Sequence, residues 1–282
     1  MPTTLADLNA AVERLWPTEF AEGWDAPGLI SGAPGDEVRR VLLAVDAVSD
    51  TVDEALETKA DALLVHHPLL LRGVTTVAET GYKGALLARL IRARCGLIAA
   101  HTNADIVDDG TSAVIATKLG LVDVVPIVDG ARAGTGLGRV GRMPEPTTLG
   151  RLALALGDVL PATATGVRVA GDYDQPVSTV SLCGGAGDSL LGDPAVRASD
   201  VYITSDLRHH PASESREQTL SGSGSGSGSG AGTGPALVDV SHWASEWLWL
   251  ETAAAQLAKA LPDVEFAVSE LRTDPWDFVV TQ

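Results

Sequence analysis

A chain of 282 residues that is 45% apolar can fill two modest cores, and its formal charge of −17, from 37 acids against 20 bases, repels phosphate backbones and anionic membrane surfaces. Nucleic acid is therefore disfavoured as a partner, which leaves small-molecule substrates, metal cations or further copies of the chain. Only two cysteines occur, Cys95 and Cys183, both in apolar runs, and they read as buried thiols rather than a disulfide framework or a thiolate zinc site. The amino terminus lacks a basic stretch ahead of an apolar core, and no run of about 18 apolar residues occurs, so the expected setting is soluble, cytoplasmic and without a membrane.

Leu5, Leu8, Val12 and Leu15 recur at helical spacing behind Thr3-Thr4, which can cap, and Pro17 ends the run. Trp24-Asp25-Ala26-Pro27-Gly28-Leu29 reads as a loop, followed by a strand over Arg40–Val45 and a helix over Val52–Lys59. Ala62–Val65 is a short buried strand, and Pro68 closes it because proline has no N–H to give to a sheet ladder. A helix over Gly84–Arg94 leads to a strand over Gly96–Ala100, whose end carries His101-Thr102-Asn103-Ala104-Asp105. Strands and helices alternating at this pitch predict right-handed crossovers and an α/β fold with mainly parallel sheets.

The middle of the chain repeats its beginning. Val41-Leu42-Leu43-Ala44-Val45 is similar to Val180-Ser181-Leu182-Cys183, and Ala60-Asp61-Ala62-Leu63-Leu64 to Ser199-Asp200-Val201-Tyr202-Ile203, both at an offset of 139 residues. Two related α/β units are expected, the first over 1–125 and the second over 126–220. Between the repeated segments, Gly134-Thr135-Gly136-Leu137-Gly138-Arg139 lacks the helix-opening context of a phosphate loop and reads as a turn-rich connection. Gly184-Gly185-Ala186-Gly187 reads the same way, although its place after a strand lets it approach a ligand. Residues 221–234 are Ser/Gly repeat with one Ala and one Thr; such composition cannot bury a core and predicts a flexible loop. Segment 236–282 holds a strand over Ala236–Val240, a cap at Ser241, a helix over His242–Leu261 and a last strand over Val264–Val268. This carboxyl-terminal strand and helix are expected to return to the first unit and complete its site.

Four of the six histidines, His66, His67, His101 and His242, immediately follow a predicted strand, the edge at which parallel α/β sheets bind ligands. His242 and Glu246 are four apart on one helix face, and Asp105 lies four beyond His101. Imidazoles and carboxylates without a thiolate suit zinc, iron or manganese. The candidate set, His66, His67, His101, Asp105, His242 and Glu246, exceeds the needs of one tetrahedral ion. Two divalent ions sharing a carboxylate are the economical arrangement, able to clamp a substrate oxygen and to generate hydroxide near neutral pH. Neighbouring side chains alternate along a strand, so His66 and His67 serve one site only if the backbone turns between them. Each candidate has a plainer alternative: His101 as a core histidine or a donor behind the ligands, Asp105 as a helix cap, Glu246 as a first-turn acid favoured by the helix dipole. His209-His210 read as pocket lining or surface. Trp243, Trp247 and Trp249 read as core or interface residues, with Trp243 able to wall the site.

HHP at 66–68, HTNAD at 101–105, TSD with a following HH over 204–210, and SHWASE at 241–246 resemble the signature segments of the GTP cyclohydrolase I type 2 homologue family, also called NGG-interacting-factor-three-like proteins. WDAPGL at 24–29 and GLGRVG at 136–141 extend the match in order over nearly the whole chain. The resemblance implies a two-unit α/β fold, a toroidal homohexamer and a dinuclear divalent-metal site. Position by position it implies that His66 and His242 bind one ion, His67 and Asp105 the other, that Glu246 bridges them, and that His101 is adjacent. Ser205 and Ser241 stand where the family usually has Gly; neither removes a ligand, but Ser241 bears on the turn that aims His242. The function expected is a metal-dependent hydrolase in which a bridging hydroxide attacks a phosphoester or purine-type ring, with Glu246 catalytic. A non-catalytic metal-binding assembly, regulatory or metal-trafficking protein is the alternative, favoured by the lack of an Arg/Lys cluster near the ligands.

Overall fold

The structure is a computed structural model that describes residues 2–221 and 234–281. The Ser/Gly stretch expected to form a flexible loop falls almost wholly on 222–233, outside the described residues. In chain order the first elements are α1 (Leu5–Leu15), β1 (Gly28–Ser31), β2 (Arg40–Ala44), α2 (Ser49–Glu57), β3 (Ala62–Val65), α3 (Tyr82–Ala93), β4 (Gly96–Ala99) and α4 (Thr102–Asp105). Then come α5 (Thr111–Lys118), β5 (Val122–Val125), β6 (Val128–Asp129), β7 (Gly136–Leu137), β8 (Arg139–Thr148), α6 (Leu149–Val159), β9 (Arg168–Ala170) and β10 (Pro176–Ala186). The last are α7 (Pro194–Arg197), β11 (Val201–Ser205), α8 (His209–Ser221), β12 (Ala236–Val240), α9 (His242–Ala260) and β13 (Glu265–Val268).

The chain forms two units: the residues up to Val107 with Trp249–Thr273, and Asp108–Leu248 with the residues from Asp274 onward. The division falls inside α9, whose first turns belong to the second unit and whose remainder belongs to the first.

In the first unit the sheet order is β1-β4-β3-β2-β13, and every pair except β1 with β4 is parallel. The residues of β3 and β4 are buried throughout, as strands covered on both faces require, and their sequences ALLV and GLIA are accordingly unbroken apolar runs. Leu42, Leu63, Val65 and Leu97 pack with Val52 of α2 and Leu87 and Leu90 of α3 in one core cluster. The Thr4 side chain caps α1 by accepting from Asp7 N, and Asp7 returns the favour to Thr4 N in a reciprocal capping box. The fully buried Trp16 just beyond α1 lies edge-on to Trp249 of α9, ring centroids 4.9 Å apart.

In the second unit the order is β5-β8-β10-β11-β12-β9, parallel at its centre (β10, β11, β12) and antiparallel in its outer pairs. Strand β12, directly after the Ser/Gly stretch, belongs here; the chain then runs through α9 to β13 at the edge of the first sheet.

The repeat is visible in register and in hydrogen bonding. Val41 pairs with Ala62 and Val180 with Val201, each pair displaced from the other by the same 139 residues. One Asp61 oxygen accepts from Arg39 N (2.8 Å) and Arg40 N (3.0 Å). The corresponding Asp200 oxygen accepts from Ser178 N and Thr179 N, both at 2.8 Å, again at that offset. A carboxylate thus closes the entry to the central parallel pair in both units. No helix of the described residues is long and apolar enough to cross a membrane.

Candidate metal centre

In the first unit the site grows from the carboxyl ends of β3 and β4. Beyond Val65 the ladder to β2 continues for two amides, His66 N to Ala44 O (3.1 Å) and His67 N to Val45 O (2.8 Å), while the chain bends at both histidines. The bend turns both imidazoles to one side, ring centroids 5.2 Å apart. His101, at the head of α4, adds a third ring, 5.2 Å from His66 and 5.5 Å from His67. One ligand nitrogen from each of these three histidines can be chosen so that all lie within 4.8 Å of one another. Asp105, the last residue of α4, brings Oδ1 to 3.6 Å from His66 Nε2.

Each ring is held from behind. His66 Nδ1 donates to Ala100 O (2.8 Å), His67 Nδ1 to Asp46 Oδ1 (2.7 Å), and His101 Nδ1 to Asp25 Oδ1 (2.8 Å). Carbonyl and carboxylate oxygens only accept, so Nδ1 must carry the proton, and in the neutral ring Nε2 is then the nitrogen with the lone pair. Asp25 also accepts from Thr102 N (3.0 Å) and from the Thr102 hydroxyl. Burial alone would push its carboxyl up, but these hydrogen bonds outweigh it and hold the group at about 2.

In the second unit the site is the start of α9. Ser241 caps the helix, accepting from Ala244 N (3.2 Å) and donating to Asp274, so it anchors the turn that aims His242. His242 Nδ1 donates to Asp206 Oδ2 (2.7 Å), and Nε2 lies 3.0 Å from Glu246 Oε1, one turn along the helix. Chiefly the negative charge of Glu246, opposed by burial and helped by Asp206, pushes the His242 imidazole up to about 11. Gly185 backs the glutamate with φ +67; a Cβ there would meet Glu246 Oε1 at 2.5 Å. The amides here are pinned, Gly184 N to Ser112 Oγ (3.0 Å) and Gly185 N to Ser245 Oγ (2.9 Å), so this irregular end of β10 keeps its shape beside the carboxylate.

His66, His67, His101 and Asp105 therefore gather in the first unit, and His242 with Glu246 in the second. His209 and His210 pair with each other at 5.3 Å, exposed at the start of α8 and in neither group. Trp243 is buried beside Trp247, centroids 6.2 Å apart. The sequence reading missed the residues that orient the ligands: Asp25, Asp46, Asp206 and Gly185. Asp46 and Asp206 each fall within two residues of a strand's carboxyl end, a signal as good as the one that marked the histidines. The donor set fits a divalent transition ion: imidazoles backed at Nδ1, with a carboxylate near His66 and another near His242.

An α/β chain with histidine and carboxylate groups able to hold a metal at its strand ends is the class these features define. Residues 3–275 match the family described as Duf34/NIF3 (NGG1p interacting factor 3), and the chain belongs to that family. It is 45% identical over 282 positions to a GTP cyclohydrolase 1 type 2 homolog of Streptomyces coelicolor, covering 96% of this chain and 93% of the relative. A protein of the same description from Mycobacterium tuberculosis is 33% identical, covering 98% of this chain and 97% of the relative. Among solved structures, a Bacillus cereus protein related to NIF3 shares the fold with a TM-score of 0.84 at 21% identity, covering 99% of this chain and 100% of that one.

Proposed function

We propose that the chain binds two divalent ions, zinc, iron or manganese, and acts as a metal-dependent hydrolase on a small molecule bearing a phosphoester or a purine-type ring. His66 and His242 would hold one ion and His67 and Asp105 the other, with Glu246 as the carboxylate they would share and His101 beside them. The observation that carries this reading is the backing of every imidazole in the set at Nδ1 by a carbonyl or carboxylate oxygen, the arrangement that presents Nε2 to a metal.

Bound ions of this kind polarise a substrate oxygen and acidify a water toward neutrality. The chain's own residues do the rest. Glu246, buried and backed by Gly185, supplies negative charge to offset that of the ions. Asp25, Asp46 and Asp206 keep their imidazoles from rotating, and His101 Nδ1–H donates to Asp25. The substrate class follows the relatives, which are described as GTP cyclohydrolase 1 type 2 homologs. A toroidal homohexamer in the cytoplasm completes the reading, and Cys95 and Cys183, buried and not joined in a disulfide, suit a reducing compartment.

Elemental analysis and anomalous diffraction of protein purified without added metal test this. Two ions per chain are expected, and Glu246→Gln should lower the content and abolish hydrolysis of nucleotide and phosphoester substrates. Two ions retained in Glu246→Gln would overturn the bridging role.

A further inference from the structure

The six tryptophans of the chain divide sharply. Trp16 and Trp249 are fully buried, Trp243 is buried, and Trp247 is half-buried; Trp24 and Trp276 stand open. Of the open two, Trp24 lies against the candidate metal centre, its ring centroid 5.8 Å from that of His101. It is 60% exposed, although the side chain of the next residue, Asp25, is completely buried. The loop is firmly tied: Glu22 N donates to Thr102 Oγ1 (3.0 Å), Asp25 N to Glu22 O (2.9 Å), and the Asp25 carboxylate accepts from His101, Thr102 and Ala26. An indole on a rigid loop offers a large apolar face at little cost in conformational entropy.

The accessibility of the first unit's histidines shows where a ligand would arrive. His66 is shut off from solvent, whereas the side chains of His67 and His101 remain 27% and 12% exposed. Trp24 stands beside His101, one of the two rings that solvent reaches.

Resting on the hydrolase reading above, we infer that Trp24 is a specificity-determining residue that stacks on the planar heteroaromatic ring of the substrate. Recognition then divides: ions held by the histidines and carboxylates would take a substrate oxygen, and the indole selects ligands that carry a flat ring. A substrate without such a ring would lose the second contact.

The test compares guanosine 5′-monophosphate with ribose 5-phosphate, which has the same sugar phosphate and no ring, by calorimetric titration of the metal-loaded full chain. The intact chain should bind the nucleotide more tightly. Trp24→Ala should weaken nucleotide binding by roughly 5- to 100-fold, as loss of one stacked aromatic does. Trp24→Phe should recover most of it, and ribose 5-phosphate binding should be unchanged. Trp276→Ala, which removes the other open indole, should bind like the parent chain, and metal content and melting temperature should be the same in all. Equal affinity for the two ligands in the intact chain, or nucleotide binding by Trp24→Ala as tight as the parent's, would overturn the inference while leaving the metal reading standing. Ring-dependent binding that needs Trp24 in a chain holding no metal would do the reverse.

Discussion

Three aspartates, Asp25, Asp46 and Asp206, each accept a hydrogen bond from the Nδ1–H of a different histidine, and the fold brings each to a ring distant from it in sequence. Asp25 shows what this does for stability. Its side chain is buried, yet hydrogen bonds from His101 and Thr102 hold it at about 2, below the roughly 3.9 of a solvated aspartate. A depressed folded-state value means that the carboxylate stabilises the fold fully above the unfolded-state value, and that the benefit drains as pH falls from about 4 toward 2. Urea unfolding should therefore find Asp25→Asn about 2 kcal/mol less stable than the parent at pH 7, with the gap narrowing at pH 3. A gap that does not change with pH would show that the asparagine fails for reasons of shape and that charge is immaterial at that position.

The elements read most readily from sequence are those whose burial writes a pattern. Strands β2, β3 and β4 are unbroken apolar runs because both faces are covered, and α1 shows its stripe because one face is. Helix α5 shows none: Thr111, Ser112, Ala113, Val114, Ile115 and Ala116 are all buried, so its polar and apolar residues do not sort by face. Strands β5 and β9 are exposed along their length and carry no alternation either. The ligand histidines were legible as residues at strand ends, but the device that positions Glu246 was not. Gly185 is one glycine among 30, and its role appears only when its left-handed backbone at the end of β10 is seen against the carboxylate. Gly185→Ala should cost about 1–2 kcal/mol for the backbone conformation alone. The added methyl also displaces Glu246, so the variant should lose metal as well as stability. Gly23→Ala, with nothing within 4 Å of the new Cβ, is the control. Thermal unfolding and metal content, measured on both, decide it; a Gly185→Ala chain with the parent's metal content would show that the carboxylate does not depend on the loop.

The internal repeat gives each unit its own core and, by chance of sequence, its own cysteine: Cys95 in the first, Cys183 in the second. Both thiols are buried and outside any disulfide, and burial, with the charge of Asp61, pushes Cys95 up to about 12, so almost none of it is thiolate near neutral pH. A disulfide reagent such as dithionitrobenzoate at pH 8 should leave the native chain unmodified for hours. In urea the same reaction reports the opening of each core separately, read from Cys95→Ser and Cys183→Ser variants. Helix α9 bears on the outcome. Its first turns are counted in the second unit and the rest, with the buried Trp249, in the first, so neither unit can unravel completely without breaking hydrogen bonds in an element of the other. The two thiols should therefore become reactive over one urea range. Midpoints separated by more than the width of a single transition would show that α9 parts near the Leu248–Trp249 division and that the units unfold as independent bodies.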